Sequence, residues 1–151
     1  MASETQVIST LNNLIQTCRD GEEGFESAAG GVKSSELKEL FRGYSRQRAS
    51  FAGELQDEVR RLGGEPAEAG SITGSLHRGW MGMKAALTGA DERAVIEECE
   101  RGEESALAAY RAALGVDMPA GVRSMVERQF AEVKEALQHM RSLDKVEGAG
   151  A

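Results

Sequence analysis

The chain has 151 residues, with 18 Lys and Arg against 25 Asp and Glu and a formal net charge of −7. That balance argues against the broad basic surface by which proteins hold nucleic acid or anionic membranes. A single domain of this length buries a sizeable core without disulfides or a structural metal, and two prolines with 5% aromatics beside abundant Ala, Glu, Leu and Arg point to an all-helical fold.

The first helix is expected from about Ser3 to about Gly30, opened by a capping box of Ser3 and Gln6. Its apolar stripe is Val7, Leu11, Leu14, Ile15, Cys18, Phe25 and Ala29, spaced by threes and fours. Gly30 and Gly31 stop it, and Ser34 or Ser35 caps a second helix carrying Leu37, Leu40, Phe41, Tyr44, Phe51, Leu55, Val59 and Leu62 before Gly63 and Gly64. Residues 65–70 read as a loop. A shorter helix over 71–88 presents Ile72, Leu76, Trp80, Met83 and Leu87. Asp91 caps the next helix, which runs to about Leu114, and Gly115 ends it. Pro119 suits the first turn of the last helix, whose face is Val122, Val126, Phe130, Val133, Leu137 and Met140. One domain over 1–147 is expected, with 148–151 as a flexible tail.

Four helices of about 25 residues, each about 37 Å long, suit a four-helix bundle. The shorter helix, at about 18 residues, is nearly long enough to cross from one end of such a bundle to the other. If it connects opposite ends, the third core helix starts at the same end as the first hairpin turn, which is the ferritin-type connection, and the fold expected is then all-α: a ferritin-like four-helix bundle with a short additional crossover helix between the second and third core helices.

The stripe of the fourth helix in chain order contains a carboxylate, because Ile96, Cys99, Glu103, Leu107, Tyr110 and Leu114 share one face. An ionised group aimed at a core must be paired, hydrogen-bonded, protonated or metal-bound. Each of the other long helices also places a polar residue on or beside its stripe: Glu22 in the first, Arg48 with Gln47 at its edge in the second, and Gln129 in the last. These five are expected to form one buried polar layer. A short internal repeat supports that register, since Cys18 precedes Glu22 by four as Cys99 precedes Glu103, and Arg46-Gln47 is echoed by Arg128-Gln129.

The chain resembles an uncharacterised bacterial family of ferritin-like four-helix-bundle proteins, a domain of unknown function within the ferritin and rubrerythrin superfamily. The resemblance rests on Leu11-Asn12-Asn13-Leu14-Ile15 with Asp20-Gly21 and Gly24-Phe25, on Gln47-Arg48 with Phe51 and Glu54-Leu55, on His77-Arg78-Gly79-Trp80-Met81, and on Glu100-Arg101-Gly102-Glu103. It implies a fold and no established activity. Ferritins and rubrerythrins hold a di-iron centre with one Glu on each of two helices and a Glu-x-x-His pair on each of the other two. Glu22 and Glu103 suit the single-Glu helices. The positions resembling the second-helix Glu and His are Arg48 and Phe51, and the residue three before His139 is Ala136. An Arg in the layer repels a cation and can itself neutralise carboxylates, so the layer is read first as an ion-pair and amide network.

The reading that follows is a non-enzymatic bundle acting by protein association, as a homo-oligomer or with a protein partner, with no cofactor. Its rival is an iron- or manganese-binding protein or oxidase using Glu22 and Glu103 with Glu26, Glu54, Glu100 or His139. A weaker alternative is a small-ligand pocket beside His77 and Trp80, although Trp80 at stripe spacing is more simply an anchor that docks its helix. No phosphate loop, nucleophile elbow or closely spaced His-Glu-His motif is present. Cys18 and Cys99, without metal-ligand spacing and on apolar faces, are expected as buried free thiols. The Met-Ala-Ser-Glu-Thr-Gln start has no basic and apolar leader pattern and no apolar run is long enough to cross a bilayer, so a cytoplasmic location is expected.

Overall fold

Periodicity and capping place the helices where the sequence puts them. The structure, a computed structural model, describes residues 2–67, 78–89 and 91–150. Helix α1 spans Glu4–Gly31, α2 Ser35–Arg61, α3 Met83–Thr88, α4 Glu92–Leu114 and α5 Ala120–Gly150, and no strand occurs among the described residues. The Ser3 hydroxyl accepts from the Gln6 amide, the Ser34 hydroxyl from Leu37 and the Asp91 carboxylate from Arg93, each satisfying an amide that the first helical turn leaves free. Gly63, at φ 84°, takes the left-handed conformation that closes α2. Helix α5 continues through Gly150, into the stretch expected as a tail.

The expected helix over 71–88 is corrected in its described part. Arg78–Trp80 is a single 3-10 turn, and a regular helix begins only at Met83 and lasts six residues. The reason is close approach to α4. A Cβ on Gly79 would meet the Arg101 carbonyl and the Gly102 backbone, and one on Gly82 would meet the Glu98 carboxylate. Glycines at 79 and 82 also lower the helix propensity of this short stretch. Ile72, Leu76 and His77 lie outside the described residues.

Helix α1 packs along α2 as a hairpin and along α4, α4 packs along α5, and α2 meets α5 only sparingly. The connections are pinned by side chains. Glu92, in the first turn of α4, accepts from the amides of Lys33 at 2.7 Å and Ser34 at 3.0 Å, fastening the α1–α2 turn. Asn12 donates to the Glu65 carbonyl and accepts from the Ala67 amide, which holds the chain leaving α2 against α1.

The apolar core falls into two clusters. One gathers Leu11, Leu14, Cys18, Phe51, Leu55, Leu107, Val126 and Val133; the other gathers Phe25, Phe41, Trp80, Met83, Ile96, Cys99 and Met140. Trp80 is the wedge of the second. Its indole lies where a Cβ on Gly24 of α1 or Gly102 of α4 would stand, and it meets Phe25 edge-on with centroids 5.0 Å apart. Two glycines facing one indole explain why the Gly-Phe and Arg-Gly-Glu stretches occur on those helices.

Candidate functional site

The polar residues on the helical stripes meet where the two apolar clusters divide. On α1 the division falls at Gly21, between Cys18 and Phe25; on α2 it falls at Arg48, between Phe41 and Phe51; on α4 it falls at Glu103, between Cys99 and Ala106. Arg48 and Glu103 are 1% and 0% exposed. The guanidinium donates through Nη1 to Glu103 Oε1 and through Nη2 to Oε2, the latter at 2.5 Å. This is the two-pronged geometry that planar guanidinium and carboxylate groups share. Arg48 Nε donates to Gln47 Oε1 at 3.2 Å, so the head group has partners on both sides.

Gly21 makes the room. A Cβ there would stand 3.3 Å from Cγ and 3.4 Å from Nη1 of Arg48, tighter than ordinary contact, so the arginine crosses α1 over a residue with no side chain. Its guanidinium carbon lies 5.4 Å from the Phe25 ring centroid. Burial by itself would push the Arg48 pKa down; the charge and hydrogen bonds of Glu103 outweigh it and hold the pKa above its ordinary value. Arg48 therefore keeps its positive charge inside the core.

A second buried chain of hydrogen bonds runs beside the Arg48–Glu103 pair. The Tyr110 hydroxyl on α4 donates to Gln129 Oε1 on α5 at 2.6 Å, and Gln129 Nε2 donates to Glu54 Oε1 on α2 at 3.2 Å. Cys18 Sγ on α1 lies 3.2 Å from Tyr110 Oη, and because that hydroxyl gives its hydrogen to Gln129, the thiol is the donor. All four long helices therefore contribute to one network. Burial pushes the Cys18 thiol up to about 11 and pushes Cys99 and Tyr110 well above their usual values. Protonated thiols make poor nucleophiles and poor metal ligands.

The remaining candidates lie apart. Glu22 is half-buried and bridges to Arg19 at 2.7 Å on its own helix, so its carboxylate does not enter the enclosed layer with Glu103; its backbone carbonyl instead accepts from Ser45. Gln47 is half-buried at the edge and Gln129 fully buried. Glu54 is held by Gln129 and, at 2.5 Å, by Arg128. Glu26 is exposed. Glu100 is raised to about 7 by burial, then by its hydrogen bond to Asp144 and that carboxylate's charge. His139 is exposed on α5 and its Nδ1 is 3.0 Å from the Tyr44 hydroxyl of α2. Trp80 is buried between α1 and α4 rather than lining a cleft, and His77 lies outside the described residues.

These donors do not fit a di-metal centre. Both Glu103 oxygens are committed to a cation that belongs to the protein, the Arg48 guanidinium. Among the described residues no three His, Cys, Asp or Glu side chains are grouped so as to hold a metal ion.

Comparison with known families bears on the same helices. The sequence profile of a domain of unknown function, DUF2383, matches residues 6–115. The chain belongs to the DUF2383 family. That match takes in α1 to α4, and so the DUF2383 segment holds both halves of the Arg48–Glu103 lock, whereas Gln129 and His139 on α5 lie beyond it. No curated protein matches the chain.

Periodicity alone did not single out Tyr110, which reads as one more apolar stripe residue although its hydroxyl joins three helices. Gly21 and Asn12 stand in the motifs that carry the family resemblance, but their roles exist only against partners on other elements.

Proposed function

We propose that this DUF2383 chain is a non-enzymatic, cytoplasmic, ferritin-like bundle that acts through protein association, and that Arg48, Glu103 and Gln129 occupy the layer in which a ferritin-type protein would carry its di-metal centre. One observation carries the reading: the Glu103 carboxylate is held through both oxygens by Arg48 inside the core. A redox centre needs carboxylates open to a metal, and here the carboxylate is closed by a fixed internal cation. The use of such a pair is register. The lock joins α2 to α4, two helices that do not pack along each other, through a gap that Gly21 leaves in α1.

Elemental analysis tests this on tag-free protein purified without chelators. The reading expects iron, manganese and zinc well below one atom per chain, and no change in Glu103→Gln. Stoichiometric metal that disappears in that variant would falsify it.

A further inference from the structure

Most arginines of this chain have partners. Among those with described side chains, Arg19, Arg48, Arg60, Arg61, Arg93, Arg101, Arg123, Arg128 and Arg141 form ion pairs and Arg111 lies over the Phe130 ring. Arg42 and Arg46 have neither among the described residues, and both stand on α2. Arg46 borders a shallow groove of about 850 Å³ that runs along this helix with Glu39, Leu40, Gly43, Tyr44 and Gln47. Glu39, nearly two turns earlier along the same groove, is exposed and makes no ion pair among the described residues.

Gly43, at the middle of the groove, is one of several helical glycines, with Gly30, Gly53 and Gly121, beside which the fold leaves open space. The glycines at 21, 24, 31, 79, 82 and 102 each have a neighbour in the space a Cβ would take, whereas a Cβ on Gly43 would meet only the end of Arg46, at 3.9 Å. A helix-interior glycine costs about 1 kcal/mol relative to Ala. Of the open glycines, Gly43 is the one that lines the groove, and among the described residues only the end of Arg46 comes near it.

We infer that the groove along α2 is a homodimer interface, with α2 of a second copy laid antiparallel across it and the two Gly43 positions near the crossing. The charge pattern selects this occupant. At about 100° per residue, Glu39 and Arg46 stand on the same side of the groove, seven residues and nearly two turns apart. Two helices related by a twofold perpendicular to their axes bring same-side residues together, so Glu39 of each copy faces Arg46 of the other and the pair forms twice. Leu40, Tyr44 and Gln47 fall on the opposite side, where the same twofold sets Leu40 of each copy toward Gln47 of the other and brings the two Tyr44 positions together near the crossing. The bare Gly43 surfaces let the two backbones approach. This interface rests on the association reading above and names its partner.

Sedimentation velocity on the full chain, run from micromolar up to roughly 1 mM, tests it. The wild type is expected to be a dimer in the upper part of that range. Glu39→Arg alone and Arg46→Glu alone each place like charges together twice and are expected to weaken dimerisation by about tenfold or more. Mixing these two variants is expected to restore the dimer, now as a heterodimer, because each copy then supplies the charge the other lacks. Both positions are exposed, so circular dichroism and the unfolding midpoint of the variants should match the wild type. A wild type that stays monomeric throughout overturns the interface, as does a dimer indifferent to both single variants or a mixture that stays monomeric. A monomer without metal would remove this interface and leave the association reading to another partner; stoichiometric metal would remove that reading whatever the oligomeric state.

Discussion

Arg48 on α2 reaches Glu103 on α4 across the missing side chain of Gly21, and both ends of this salt bridge are almost completely shielded from water. Such a pair is costly to assemble, because each charge loses its hydration, and more costly to break, because the survivor remains buried without compensation. Glu103→Gln is therefore expected to lower the unfolding free energy by about 3–5 kcal/mol. Replacing both partners, Arg48→Met with Glu103→Leu, should recover most of that loss. Chemical denaturation of the two single variants and the double completes the cycle, and strictly additive losses would contradict the lock.

Trp80 makes a steric prediction. Its indole fills the space beside both Gly24 and Gly102, so Gly24→Ala and Gly102→Ala each force the ring or a helix to move. Overpacking of this kind costs about 1–3 kcal/mol. At about 2–4 °C per kcal/mol for a chain of this size, the melting temperature should fall by several degrees. Trp80 is the single tryptophan of the sequence, so its emission should shift to longer wavelength in the same variants as the ring gains water. Unchanged emission and melting would show that the wedge is not tight.

Glu100 gives the fold a pH dependence of definite sign. Its carboxyl is raised from 4.5 to about 7 by burial and by Asp144, while Arg141 opposes the shift and Glu104 adds to it. The folded state therefore holds a proton that the unfolded chain releases, and stability falls as pH rises from about 4.5 through about 7. The effect should be local, because Asp144, which also bridges to Arg93 at 3.2 Å, lies near the end of α5. Amide exchange at residues 141–146, corrected for intrinsic rate, is expected to show less protection at pH 8 than at pH 5.5. Glu100→Gln should flatten the difference; an unchanged profile would assign the titration elsewhere.

The helices were legible because their causes are local. Ser3, Ser34 and Asp91 cap amides two or three residues away, Gly63 supplies a backbone conformation of its own, and the three-and-four spacing of the stripes needs no partner to be read. The same spacing showed that Glu103, Arg48 and Gln129 had to be accounted for inside a core. The short segment before α4 was less legible, because the turn at Arg78–Trp80 and the late start at Met83 answer to the backbone and side chains of α4.

Sequence by itself determined an all-helical chain with charge placed on apolar faces. Only the tertiary structure decided which charges meet. Glu22 and Glu103 stand at matching places in the internal repeat, yet one turns to Arg19 near the surface and the other is closed by Arg48. Helical periodicity gives the direction in which a side chain leaves its own axis, whereas an ion pair depends on the gap between axes. Here that gap is set by glycines at 21, 24 and 102, whose effect is felt only by the arginine and the tryptophan that arrive from other elements.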